Sequence, residues 1–341
     1  MPQGSLPGRV AVTGGAGFIG THTVRQLLER GVSVLVIDDF RHACPEPVPS
    51  AATLVREEIA SPAAHQSLID FHPDALIHLA AQGGVNRSLK DPAADAVVNV
   101  VGTVAILRAA VDANCPRVVF ASSGGAIYGR SRRLPSQEGD RAQPLSPYGA
   151  AKLACEGYLG MFSRTFGLRF VALRYGNVYG PYQDGTGEAG VVAITSERLR
   201  QGLAPEITGD GGQTRDFTYV ADVAGANLAA LTATFQGPLN IGTGHPTSVS
   251  EVVGTLAEVA GFPGPARHIP ARPGEVRSNY LDPARAARHL GWEAQVALRD
   301  GLTGTYASFA TVSWLRAPPP PGGGASCGPV PDASAPAPVP P

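Results

Sequence analysis

The sequence predicts an α/β protein: a doubly wound parallel sheet, a smaller C-terminal lobe and a disordered Pro-rich tail. Three observations carry that expectation. Short apolar, β-branched runs alternate with amphipathic stretches through the first half of the chain, the pattern of parallel strands covered by helices on both faces. After Arg174 the pattern loosens, Gly and Pro become frequent and the helical stretches shorten. The last 25 residues, Ala317–Pro341, hold ten prolines, one charged residue (Asp332) and no aromatics. That is too little apolar surface to offset the entropy of ordering.

The elements follow in order. Arg9–Thr13 reads as the first strand, a glycine-rich turn follows, and Phe18–Glu29 reads as a helix. Val32–Ile37, Ala75–Leu79, Arg117–Ala121 and Leu168–Leu173 read as further strands, with Ala93–Ala113 and Tyr148–Phe166 as the longest helices between them. Crossovers between parallel strands are right-handed, which yields the doubly wound arrangement. Leu239–Ile241 reads as a late strand returning to the sheet. The expected division is a dinucleotide-type domain over 1–175, rejoined by 213–243. Segments 176–212 and 244–316 form the substrate lobe, and 317–341 the tail. Substrates bind between such lobes, outside the carboxyl ends of the strands.

Composition excludes several classes. The chain has 341 residues, enough for two domains at roughly 100–200 residues each. Lys+Arg is 27 against 28 for Asp+Glu, a net charge of −1, so there is no basic footprint for nucleic acid. No apolar run approaches the roughly 18 residues of a membrane span, and Met1–Arg9 is not a charged leader before an apolar stretch. The expected location is cytoplasmic. Cys44, Cys115, Cys155 and Cys327 are scattered, with no metal-ligand spacing, so free thiols are expected and no metal site.

The chemistry begins at Thr13–Gly20, where Gly14, Gly17 and Gly20 sit between a strand and a helix. A tight turn and close approach of a pyrophosphate need residues without Cβ, and the helix N-terminus then holds the anion. Asp38 ends the second strand, 18 residues past Gly20, where an acid accepts hydrogen bonds from the adenosine ribose and repels a 2′-phosphate. NAD is therefore expected in preference to NADP. Tyr148 and Lys152 are four residues apart on one helix face. A nearby ammonium is expected to lower the phenol pKa towards neutrality, making a base for a sugar hydroxyl. Ser122-Ser123-Gly124-Gly125 follows the fourth strand and can put a hydroxyl beside Tyr148. His78 reads as a structural strand-end histidine, and Trp292 and Trp314 as packing residues.

Taken together, TGGAGFIG (13–20), HLAAQ (78–82), Asn99, SSGGAIYG (122–129), SPYGAAK (146–152), LRYGNVYGP (173–181), TRDFTYVADV (214–223), LNIGTG (239–244) and RPGEV (272–276) carry a family likeness. Over residues 9 to about 310 the chain resembles the extended short-chain dehydrogenase/reductase family, the NAD-dependent epimerases and dehydratases, and is most similar to its UDP-hexose 4-epimerase branch. The resemblance implies a Rossmann domain with a nucleotide-sugar lobe. It adds Phe18, Ile19, Glu58, Ile59, Leu79, Ala80, Ala81, Gln82, Asn99, Ser122 and Tyr175 to the cofactor cleft. Lys152 becomes a ribose ligand as well as the activator of Tyr148. The resemblance assigns Ser123, Tyr148, Asn177, Arg215, Arg272 and Glu275 to a UDP-sugar. It also implies a homodimer built on the helices at Ala93–Ala113 and Tyr148–Phe166.

Family members diverge after a common 4-keto intermediate. Dehydratases carry an Asp-Glu pair just after the strand-end Ser/Thr, decarboxylases a Glu there, and fucose synthase-type enzymes use a Cys and a His. Here those positions are Gly124 and Gly125. The remaining reaction is C4 epimerisation of a UDP-hexose, UDP-glucose or UDP-galactose. UDP-glucuronate and UDP-GlcNAc are the alternative substrates, and a non-catalytic NAD-binding sensor is the alternative from another class. Ser122 and Ser123 both remain candidates to face substrate, with Ser123 favoured. Tyr182 stands where relatives often carry Arg, and is expected to alter sugar preference.

Overall fold

The structure, a computed structural model, describes residues 5–44, 47–131, 133–185, 190–271 and 275–311. The Pro-rich tail, Trp314, Cys327 and Arg272 lie outside the described residues. The strands of the first half are β1 (Arg9–Thr13), β2 (Ser33–Ile37), β3 (Thr53–Val55), β4 (Ala75–His78), β5 (Arg117–Ser123) and β6 (Arg169–Tyr175). Those of the second are β7 (Asn177–Tyr179), β8 (Glu206–Thr208), β9 (Thr214–Arg215), β10 (Phe217–Tyr219), β11 (Gly237–Ile241), β12 (Thr247–Ser248), β13 (Arg267–Ile269) and β14 (Ser278–Asn279). The first helices are α1 (Phe18–Glu29), α2 (Pro62–Phe71), α3 (Val85–Lys90), α4 (Pro92–Ala96), α5 (Gly102–Asp112), α6 (Gly124–Ile127) and α7 (Pro147–Phe166). Then come α8 (Val191–Arg200), α9 (Val220–Thr232), α10 (Val249–Val259), α11 (Ala284–Leu290) and α12 (Leu298–Thr311).

Seven parallel strands form the main sheet in the order β11-β6-β5-β4-β1-β2-β3. The chain winds outwards from β1 to β3, returns to β4 and winds the other way. The strand order therefore reverses between β1 and β4, where Thr13 pairs with His78. A crevice opens at the carboxyl ends of such neighbours. Alternate strand residues feed two cores. Val10 and Val12 pack with Val24, Leu27, Val223 and Trp292, on the side of α1, α9 and α11. Ala11 packs with Leu68, Ile106, Phe120 and Phe162, on the side of α2, α5 and α7. Burial on both faces is why these strands read as unbroken apolar runs.

Short paired strands and α8, α10 and α12 build the C-terminal lobe around Tyr179, Val192, Phe217, Leu256 and Leu302. The late strand returns to the sheet as expected, beside β6. Strand β3 was not expected: it has three residues, two of them exposed, and so no apolar pattern. The helix expected over 93–113 runs from Pro92 to Asp112 but widens into a π turn at Val97–Val101. There the Asn99 carbonyl accepts from the Thr103 hydroxyl at 2.6 Å and the Cys155 thiol at 3.2 Å. By length and composition this helix could cross a membrane, contrary to the expectation that no segment would reach that mark. In the fold it is a packed helix, with Asn99, Ile106, Leu107, Ala109 and Ala110 buried. Exposed apolar side chains gather beside it: Val85 and Leu89 on α3, Val97 and Val101 at the π turn, Tyr158 and Phe166 on α7.

Candidate active site

A cleft of about 440 Å³ runs along the carboxyl edge of the sheet. Gly14, Gly17, Phe18, Ile19 and Gly20 line one wall, Asp38, Glu58 and Ile59 one end, and Leu79, Ala80, Ala81 and Gln82 the floor. Ser122, Tyr148, Lys152 and Tyr175 close the other end. The cradle is made by what glycine lacks. Gly14 has φ +69°, and a Cβ on it would lie 2.6 Å from the Ala80 nitrogen. A Cβ on Gly20 would run into the Gly14 carbonyl oxygen. Helix α1 starts at this cradle with no side-chain cap and no acid in its first turn. Its first N–H groups and positive dipole end thus remain available to an anion. These features fit a dinucleotide pyrophosphate.

Asp38 accepts from the Ala16 nitrogen at 3.0 Å and the Phe40 nitrogen at 2.8 Å. These bonds orient the carboxylate and leave further lone pairs for a ribose. Burial raises its pKa, against the pull of those two N–H groups. Glu58 is exposed and ion-paired with Arg41 at the cleft mouth. Asn99 sits below the cleft without lining it. Its amide accepts from the Gln82 nitrogen at 2.9 Å and donates to the Gln82 carbonyl at 3.1 Å. Asp95 accepts from both side-chain amides, Gln82 at 2.7 Å and Asn99 at 3.0 Å. Asn99 therefore shapes the floor through Gln82.

At the other end, Ser146 caps α7 by accepting from the Gly149 nitrogen at 3.1 Å, and Pro147 opens the helix. This start presents Tyr148 and Lys152 on the face towards β5. Ser123 lies beside Tyr148 and acts to lower its pKa, whereas Ser122 donates to Glu156 at 2.6 Å. The two candidate serines thus have separate partners. The Lys152 ammonium lies 4.8 Å from the centre of the Phe120 ring and 5.8 Å from that of Tyr148. Burial lowers its pKa to about 8, although Asp95 works the other way. The expected lowering of the tyrosine pKa is not found. Burial pushes Tyr148 up to about 12, with Ser123 opposing and the Asp95 charge adding. The physical reason is geometric: Lys152 faces the ring, and desolvation of the phenolate outweighs the remaining attraction.

His78 is fully buried between the Thr13 hydroxyl at 2.6 Å and the Thr103 hydroxyl at 2.9 Å. Burial, aided by the Lys152 charge, lowers its pKa to about 3. Unfolded, it titrates near 6.5. Below pH 6.5 the unfolded chain therefore binds a proton that the folded chain refuses until about pH 3. Stability is expected to fall by about 2 kcal/mol between pH 6.5 and 5 through this group. His22, also held low by burial, adds to the same slope. Urea midpoints at pH 7 and pH 5 measure it, and His78→Gln should flatten the slope; an unchanged slope removes His78 from the account.

The C-terminal lobe holds the other candidates. Asn177 starts β7 and Arg215 ends β9, neither lining the cleft described above. Arg215 pairs with Glu275 at 3.0 Å. Tyr182 is not against the cleft either: its ring stacks on His22 of α1.

Two groups were missed by the sequence reading. Buried Asp216 accepts from the Thr243 nitrogen at 2.7 Å, the Gly244 nitrogen at 3.2 Å and the Leu281 nitrogen at 3.2 Å. It ties the lobe's loops to β9 and β10. Glu156 accepts from Arg174 at 2.9 and 2.6 Å, and Arg174 reaches the Tyr128 hydroxyl at 2.9 Å. This buried pair braces the end of β5 through Ser122. Glu156 continues the four-residue spacing of Tyr148 and Lys152, the one available sequence signal; Asp216 had none beyond its place beside Arg215.

Residues 10–242 match the model of the NAD-dependent epimerase/dehydratase family. The UDP-glucose 4-epimerase of Mycolicibacterium smegmatis is 42% identical over 311 residues, 89% of this chain and 99% of its own. The crystal structure of UDP-glucose 4-epimerase from Thermotoga maritima with UDP-glucose is similar at TM-score 0.86 and 40% identity, covering 88% of this chain and 98% of that one. The UDP-glucose 4-epimerase of Thermus thermophilus in complex with NAD is similar at TM-score 0.84 and 40% identity, covering 89% and 99%.

Proposed function

Because the chain belongs to the NAD-dependent epimerase/dehydratase family, we propose that it inverts C4 of a UDP-hexose, interconverting UDP-glucose and UDP-galactose. The observation that carries this reading is the pair Gly124-Gly125 directly after Ser123. No acid or base follows the serine, so neither elimination of water nor decarboxylation has a group to drive it. At Gly124 packing adds to this, since a Cβ there would lie 2.6 Å from Leu281 Cδ1.

Tyr148 Oη takes the proton from the C4 hydroxyl, and Ser123 holds that hydroxyl in line. The base is the Tyr148 phenolate, which the Lys152 charge favours before the transfer. It becomes the phenol on taking the proton and returns it to the C4 oxygen on reduction. Lys152 also binds a ribose hydroxyl. NAD, held by the α1 N-terminus, Asp38 and Lys152, would supply the hydride chemistry at C4. Asp38 binds the adenosine ribose, and the α1 N-terminus the pyrophosphate. Arg215 and Arg272 grip the UDP diphosphate, as planar guanidinium groups suit bidentate phosphate contacts. Glu275 orients Arg215, and Asn177 reaches the nucleotide sugar. The relatives support the sugar: enzymes similar to this chain include UDP-glucose 4-epimerases.

The test offers UDP-galactose, UDP-galacturonate and UDP-GalNAc to the full chain without added reductant and reads products by NMR. The expected product from UDP-galactose is UDP-glucose. A dehydrated or decarboxylated product overturns the reaction. Turnover of only the acidic or N-acetylated sugar overturns the choice of hexose and leaves the Tyr148 chemistry standing.

A further inference from the structure

We propose that His22 and Tyr182 form a latch pinning the turn that enters the C-terminal lobe onto the cofactor helix, and that this latch sets the affinity for the uridine nucleotide. The inference rests on the reading of Asn177 and Arg215 as nucleotide-binding residues. Tyr182 has φ +69°, a left-handed conformation that is costly for a residue with a bulky side chain. Several contacts hold it there. Its ring stacks on the His22 imidazole, with centroids 5.7 Å apart and planes 29° apart. The Arg25 guanidinium, one turn further along α1, lies 5.4 Å from the ring centre. His22 Nε2 is 3.1 Å from the Pro181 carbonyl oxygen, so it carries the proton and donates. The Cys44 thiol donates to the Tyr182 carbonyl at 3.6 Å. A neutral imidazole suits this role, and burial keeps His22 below the ordinary histidine range.

The latch lies between the two halves of the proposed site. On one side, the Phe18 ring lines the cofactor cleft and meets His22 edge-on at 6.0 Å. On the other, the pinned turn follows β7 directly. Strand β7 begins at Asn177, which pairs with Phe217, two residues beyond Arg215. The Asn177 nitrogen also donates to the Asp216 carbonyl at 2.6 Å. A turn released from α1 loosens β7 and, with it, both residues that would meet the nucleotide. His22 and Tyr182 are thus positioning residues: neither lines the cofactor cleft.

The test measures the Kd of UDP by calorimetry on the full chain loaded with NAD, together with kcat on saturating UDP-galactose and NAD content. Glycine adopts a left-handed turn freely, so Tyr182→Gly removes the ring while keeping the backbone. Tyr182→Gly and His22→Ala should each raise the Kd of UDP by about three- to tenfold, the span of one aromatic stack. The double variant should be little worse than either single, because both act through one contact. Tyr182→Phe should bind UDP as the wild type does. kcat and NAD content should stay within about twofold of wild type, well inside any general-base loss. Wild-type UDP affinity in Tyr182→Gly overturns the latch, as does an equal loss in kcat or NAD content, which marks a merely structural role. If the wild type binds UDP but does not convert UDP-galactose, the proposed reaction fails while the Kd series still decides the latch. If it binds no UDP, both fail.

Discussion

Tyr148→Phe is expected to abolish turnover while leaving the fold and the bound cofactor in place. The change deletes one oxygen and keeps the ring, so the packing of α7 against β5 survives. What is lost is the polar contact with Ser123 and the proton acceptor. General-base contributions are typically about 10²–10⁴-fold, and a group that also aligns the C4 hydroxyl adds to that. Conversion of UDP-galactose to UDP-glucose by wild type and variant measures the loss, and dinucleotide released on denaturation measures cofactor content. A variant retaining more than about a tenth of wild-type kcat removes Tyr148 from the role of base. Burial pushes the phenol up to about 12.

Lys152→Met should move stability and activity in opposite directions. Lys152 is almost fully buried, and its pKa falls from 10.5 to about 8. The folded state thus resists a proton that the unfolded chain takes up below pH 10.5. The penalty is fully present below about pH 8 and fades as pH rises to 10.5. At pH 7 it is on the order of 3 kcal/mol. Methionine keeps the apolar stem over Phe120 and removes the charge, so the unliganded variant should melt several degrees higher at pH 7, with the gain vanishing above pH 10.5. Turnover should fall by about 10²-fold or more, and NAD binding should weaken as the ribose contact goes. Thermal melts at pH 7 and pH 10.5, beside kcat and NAD content, decide it. A lower melting temperature at pH 7 shows that the ammonium is stabilised by contacts beyond the two ring faces. Unimpaired turnover would falsify its part in the chemistry.

The amino-acid sequence by itself determined the architecture and the outline of the cleft, because both depend on near neighbours along the chain. Strands buried on two faces must be apolar at every position, and Val10, Ala11 and Val12 carry that in consecutive residues. Gly14 and Gly20 are required by a turn that closes within a few residues. Tyr148 and Lys152 share a face because a helix repeats every 3.6 residues. Tertiary structure alone decided the rest. Ser122 and Ser123 are adjacent, and only the packing of α7 against β5 sends one to Glu156 and the other to Tyr148. Asp216 joins loops centred 27 and 65 residues away, and Tyr182 meets His22 across the fold. The direction of the Tyr148 shift belongs here too. Spacing along a helix places an ammonium near a phenol. Whether that charge or desolvation wins depends on everything packed around the pair, and burial is a property of the whole fold.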